Sequence, residues 1–113
     1  MPPTKVLIVD SSVVNRRILI NMLETDKDIQ ISGFAADAAI GLTKLALSVP
    51  DVVLVDIKIS DMSGIEMLKK IKQANPKVSV IMLNNRDENN EKLIIEALNN
   101  GADDYATKPS STL

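Results

Sequence analysis

Val52-Val53-Leu54-Val55-Asp56, an unbroken apolar run rich in β-branched residues and closed by a carboxylate, is the stretch on which the fold turns. A strand with one wet face alternates apolar and polar residues. Continuous apolarity marks a strand covered on both faces, as in the middle of a parallel sheet. Pro50 shuts off any helix before it. After it, Ser63 and Glu66 form an S-x-x-E capping box that opens a helix carrying Met67, Leu68 and Ile71, with Pro76 beyond its end.

The same grammar repeats on both sides. Upstream, Lys5-Val6-Leu7-Ile8-Val9 is a buried strand that ends at Asp10, and the Ser11-Ser12 pair caps a helix. In that helix Val14, Ile18 and Met22 recur at i+4 beside Leu19 and Leu23, which predicts an apolar stripe facing a sheet. Ile29 to Phe34 reads as a second strand, and Asp37 caps a helix running through Ala39, Ile40, Ala46 and Leu47. Downstream, Val78 to Leu83 is a fourth strand. Asp87 caps a fourth helix carrying Leu93, Ile94, Ala97 and Leu98, which Gly101 terminates, and Asp104-Tyr105-Ala106-Thr107 is a short fifth strand. Strict alternation of strand and helix with short connections predicts an α/β, doubly wound, five-stranded parallel sheet in the flavodoxin-like order 2-1-3-4-5.

Composition narrows the chemistry. At 113 residues the chain fits one domain with one core, and an aromatic share of 2% leaves that core to Leu, Ile, Val, Ala and Met. A net charge of −2 gives no field for attracting nucleic acid or an anionic membrane. There is no Cys and no His, which removes thiolate chemistry and the commonest general base and zinc ligand. No apolar run reaches membrane-spanning length and no signal region follows Met1, so a cytoplasmic location is expected.

In open α/β sheets a ligand site forms outside the carboxyl ends of the strands at the switch point, here between strands 1 and 3. Asp10 and Asp56 occupy those two ends. Adjacent carboxylates repel unless a cation lies between them, which points to a hard divalent ion, and Mg²⁺ suits a site of few carboxylates and several waters. Lys108, just past strand 5, can reach the same edge. Phosphoryl transfer needs positioning and charge neutralisation more than a His base, so Asp56 reads as the nucleophile. Taken alone, these carboxylates also read as helix caps and solvated strand ends.

Together the motifs Val6-Leu7-Ile8-Val9-Asp10-Ser11-Ser12, Pro50-Asp51-Val52-Val53-Leu54-Val55-Asp56 with Gly64, and Gly101-Ala102-Asp103-Asp104-Tyr105-Ala106-Thr107-Lys108-Pro109 resemble the receiver domain of bacterial response regulators across essentially the whole chain. The nearest subfamily resembled is that of the chemotaxis methylesterase regulators, through the long Asn84-Asn85-Arg86-Asp87-Glu88 connection and the ending Ala106-Thr107-Lys108-Pro109-Ser110. The resemblance implies a histidine kinase as phosphodonor and Asp56 as phosphoacceptor. It implies Mg²⁺ held by Asp10, Asp56 and the backbone carbonyl of Lys58, with Lys108 on the phosphoryl group. Pro109 follows in a bond that is often cis, and Tyr105 is the switch aromatic, turning inward on activation. An output domain or downstream protein would read the switch, and the chain would catalyse only its own phosphoryl transfer and hydrolysis.

Three positions depart from the family pattern. Ser11 replaces a second acidic metal ligand and predicts weaker Mg²⁺ binding. Asn84 stands where a Ser or Thr hydroxyl normally donates to the phosphoryl group and couples it to Tyr105; an amide donates too, but is bulkier and differently aimed. Ser60 replaces a loop-stiffening Pro, so residues 59–62 are expected to be more mobile. The Lys58 ammonium either leans over the acidic pocket or stays solvated. The polar run from Asn84 to Glu91 is read as solvated turns with no activity of its own. A receiver also needs a fifth helix after Lys108-Pro109, where only Ser110-Ser111-Thr112-Leu113 remains. Residues 1–113 are therefore expected to be a receiver cut before helix 5, or one whose bare face is covered by self-association. The competing reading is a degenerate receiver, an interaction module that no longer switches. A free-standing phosphatase lacks both a turnover base and a substrate pocket.

Overall fold

β1 (Thr4–Val9), β3 (Val52–Asp56) and β4 (Ser79–Asn84) carry the apolar runs into the middle of a five-stranded sheet in the computed structural model, which describes residues 2–86 and 88–109. β2 (Ile29–Ala35) and β5 (Asp104–Thr107) form the edges, and the order β2-β1-β3-β4-β5, parallel throughout, is the one expected from the sequence. Ser110 to Leu113, and Asp87 with the cap assigned to it, lie outside the described residues.

Strand alternation sends Leu7, Val9, Val53, Val55, Val80 and Met82 to one face and Val6, Ile8, Leu54 and Leu83 to the other. The first face is covered by α2 (Ala38–Leu47), α3 (Gly64–Ala74) and α4 (Glu91–Asn99), with Met67, Leu68 and Ile71 fully buried against it. α1 (Val13–Leu23) covers the second face, over β1 and β2. Among the described residues there are four helices, none long and apolar enough to cross a membrane.

Three of the four helix starts follow the sequence. Ser12 Oγ accepts from the Asn15 N–H, Asp37 Oδ1 from Ile40 and Ser63 Oγ from Glu66. The fourth start is Asn90, whose side chain caps nothing. Gly101, at φ +102°, ends α4 in the left-handed conformation that favours glycine.

The stripe expected on α1 is shifted. Val14 and Met22 are exposed, while Leu19, Ile20 and Leu23 meet the sheet. Apolar residues ring this helix on nearly every side, so an i+4 pattern alone does not single out the buried face. On this second face Val52 and Ile81 are only partly buried, and all four residues of β5 are exposed.

Candidate functional site

The register that pairs Val9 with Val55 puts Asp10 and Asp56 at adjoining strand ends. Asp10 is fully buried and held on several sides: its N–H donates to the Ala35 carbonyl (3.0 Å), its Oδ1 accepts from the Ser12 N–H (2.9 Å), and Arg16 Nη1 donates to its carbonyl (2.6 Å). Asp56 Oδ1 accepts from the Lys58 N–H at 3.0 Å. Lys108 is anchored by its own N–H on the Asn84 carbonyl (2.8 Å). Its side chain crosses the sheet edge, and Nζ lies 2.9 Å from Asp10 Oδ2 and 3.0 Å from Asp56 Oδ2.

All three groups are buried, Lys108 being 5% exposed. One ammonium thus holds two carboxylates together in a region of low dielectric, where charges interact strongly and an unpaired one is costly. Asp10 Oδ2, although within ion-pair distance of Lys108, receives no well-angled hydrogen bond. A buried carboxylate oxygen that faces only an ammonium keeps lone pairs for a hard cation, and two carboxylates with several waters are enough for Mg²⁺. Asp10 and Asp56 therefore fit that ion. Ser11 is exposed, and the described residues gather no group of three potential metal-binding side chains.

Lys58 does not lean over this pocket. Its Nζ lies 2.7 Å from Glu88 Oε2 at the surface, the two side chains being 50% and 41% exposed. The acidic pocket already contains the Lys108 ammonium, and Glu88 offers a carboxylate without desolvation. Glu88 was not singled out in the sequence, nor was Asn90, which is buried and donates from Nδ2 to both Asn84 Oδ1 (2.6 Å) and Glu88 Oε2 (3.2 Å). Hydrogen bonds from Lys58 and then Asn90 hold the Glu88 carboxyl below its ordinary range. The polar run thus joins Lys58 in a chain of contacts, Lys58 to Glu88 to Asn90 to Asn84, that residue types alone do not reveal.

Tyr105, 48% exposed, borders a groove of about 440 Å³ that Asn84, Asn90, Ile94, Ile95 and Leu98 also line. The Lys108–Pro109 bond is not cis, contrary to what the resemblance suggested; no cis bond occurs among the described residues.

The loop after Asp56 is tied down. The Asp61 carboxylate accepts from the N–H groups of Ala38 (2.8 Å) and Ala39 (3.0 Å), and Ile59 is buried. A carboxylate on the first free N–H groups of α2 supplies a restraint where the loop-stiffening proline is missing. The Ala38 N–H, and then that of Ala39, draw the Asp61 carboxyl below its ordinary value of 3.8. A depressed carboxylate stabilises the fold fully above its unfolded value and loses that contribution as pH falls through the folded one. Asp61→Ala is therefore expected to be less stable than the native chain near neutrality, with the gap closing at acid pH. Urea midpoints across the acid range check this, and a gap constant down to the lowest pH would contradict it.

Residues 6–112 match the family model of the response regulator receiver domain. The chain belongs to this family. Receiver domains are the phosphorelay modules of two-component systems. This one is 38% identical over 111 residues to a protein-glutamate methylesterase/protein-glutamine glutaminase of Nocardioides sp., covering 98% of the chain and 30% of that relative. It is 37% identical to the Thermotoga maritima protein of the same name, covering 96% of the chain and 31% of the relative. The receiver thus spans about a third of the length of these relatives.

The crystal structure of the response regulator domain of Thermotoga maritima CheB superposes with a TM-score of 0.86 at 36% identity, covering 98% of this chain and 82% of that one. The CheX-CheY-BeF3-Mg complex of Borrelia burgdorferi matches with a TM-score of 0.85 at 29% identity, covering 97% and 81%.

Proposed function

We propose that this receiver accepts a phosphoryl group from a histidine kinase on Asp56, in a Mg²⁺-dependent reaction, and switches the surface around α4, β5 and Tyr105. The observation that carries the reading is the buried Lys108 ammonium bridging the carboxylates of Asp10 and Asp56 at the strand ends. In the transfer an Asp56 oxygen forms a P–O bond as the P–N bond of a phosphohistidine breaks, and the imidazole leaves with the bonding pair. Asp10, Asp56 and the Lys58 carbonyl would hold Mg²⁺, which when bound supplies positive charge to the phosphoryl oxygens. Lys108 turns from counter-ion of the free carboxylates to contact of the transferred group, and Asn84 donates a hydrogen bond to it.

The chain itself catalyses only this transfer and the later hydrolysis, in the cytoplasm. Its output lies in an attached domain or a downstream protein; the methylesterase relatives make an enzymatic output domain the leading candidate. Nothing in the site calls for direct contact with nucleic acid or membrane. The wet β5 face also supports self-association through the side that a fifth helix would cover. Solution scattering over a concentration series tests that, and a strictly monomeric species would count against it.

A second reading, a degenerate receiver that binds partners without switching, draws on Ser11 and on the engagement of the Asn84 amide with Asn90. Incubation with an acyl phosphate and Mg²⁺, followed by intact mass, separates the two. A single adduct on the native chain and none on Asp56→Asn is expected; no adduct on the native chain even at high Mg²⁺ would favour the degenerate module.

A further inference from the structure

Resting on that reading of Asp56, we infer that Glu88 and Asn90 are positioning residues that fix which end of the Asn84 amide faces the phosphoryl group. Glu88, ion-paired with Lys58 at 2.7 Å, presents a carboxylate that only accepts hydrogen bonds. The Asn90 group facing it must therefore be the NH₂, and that same Nδ2 lies 2.6 Å from the Asn84 side chain. Asn84 must then present its oxygen to Asn90.

The consequence falls on the other end of the amide. With Oδ1 committed, the two N–H donors of Asn84 are kept for the remaining side, and among the described residues no hydrogen bond uses them. Asn84 directly follows Leu83, the partner of Asp56 in the neighbouring strand. A Ser or Thr hydroxyl rotates to donate wherever it is needed, whereas an amide donates from one end and repels an anion with the other. A receiver with Asn at this position needs a device that settles its orientation. The buried Asn90, which stands just before α4 with a side chain that caps nothing, is that device. The surface pair Lys58 and Glu88 supplies the polarity.

Asn90→Asp tests this without removing a helix cap, because the Asn90 side chain makes no capping hydrogen bond. An Asp carboxylate offers only acceptors, so Asn84 turns its NH₂ toward it and its oxygen toward the phosphoryl group. Phosphorylation of Asp56 by an acyl phosphate, followed by intact mass, is expected to slow by about tenfold or more, the scale of losing one charge-assisted hydrogen bond. The melting temperature should also fall, because a carboxylate then replaces the NH₂ that faces Glu88 at 3.2 Å in a buried position, so the rate is read against a second variant that carries the same charge.

The companion variant Asn90→Asp/Asn84→Thr should recover most of the rate, since a hydroxyl donates irrespective of its neighbour. In the native chain the Asn84 side-chain NH₂ resonances should shift on phosphorylation. An Asn90→Asp rate equal to native, or a defect that Asn84→Thr does not relieve, overturns this inference while leaving phosphorylation of Asp56 intact. Absence of any adduct on the native chain overturns both.

Discussion

Lys108→Met is expected to destabilise the domain by about 3–5 kcal/mol, the usual penalty for removing one partner of a buried charge cluster. The side chain it replaces is 5% exposed and neutralises Asp10 and Asp56 at 2.9 and 3.0 Å. Methionine fills similar volume, so packing is nearly kept and the loss is electrostatic. Two tests isolate that cause. Adding Mg²⁺ should return a larger part of the stability in Lys108→Met than it adds to the native chain, because a ligand that binds only the folded state stabilises it by mass action. Combining Lys108→Met with Asp56→Asn should cost less than the sum of the two single changes, the signature of groups in direct contact. Urea unfolding with and without Mg²⁺ reads both, and additive losses with no Mg²⁺ rescue would show that the buried ammonium does not hold the carboxylates together.

Gly64→Ala is the second large effect, about 1–3 kcal/mol and of steric origin. A Cβ at this position would stand 2.8 Å from the Asp56 carbonyl oxygen, the Ile57 Cα and the Ile57 carbonyl oxygen. All three are backbone atoms, so no side-chain rotation relieves the clash. The helix propensity of alanine works the other way, but at the first helical position it gives less than the roughly 1 kcal/mol seen in a helix interior. Relief requires α3 to back away from the end of β3, which moves Asp56 itself. The variant should therefore lose stability by urea unfolding and also accept phosphoryl more slowly; equal stability would mean that the α3 start has more room than the structure gives it.

The strands were legible because each central one is an unbroken apolar run ending at a polar residue, and Val52–Asp56 alone implies burial on both faces. The meeting of the charged members of the candidate site was legible for the same reason: Asp10, Asp56 and Lys108 sit where strands stop, and topology decides that strands 1, 3 and 5 stop at one edge. What the sequence left open depends on side chains choosing among near-equal partners. Lys58 had two acidic neighbourhoods within reach and pairs with Glu88. Asn90 lies in a run of polar residues, any of which could have been solvated, and its role emerges only because it is buried against Asn84. The buried face of α1 is not legible because apolar residues surround that helix, and Asp61 shows no sequence sign that it will reach the start of α2.

Tyr105 is the chain's single tyrosine, and there is no tryptophan. Excited at wavelengths that Phe34 does not absorb, the chain therefore emits from one ring at one place, the border of the groove between α4 and β5. Most proteins average such a signal over many fluorophores. Here its intensity and polarisation report the local surroundings of Tyr105 directly, without a label, and a rearrangement confined to the opposite face of the sheet leaves them unchanged.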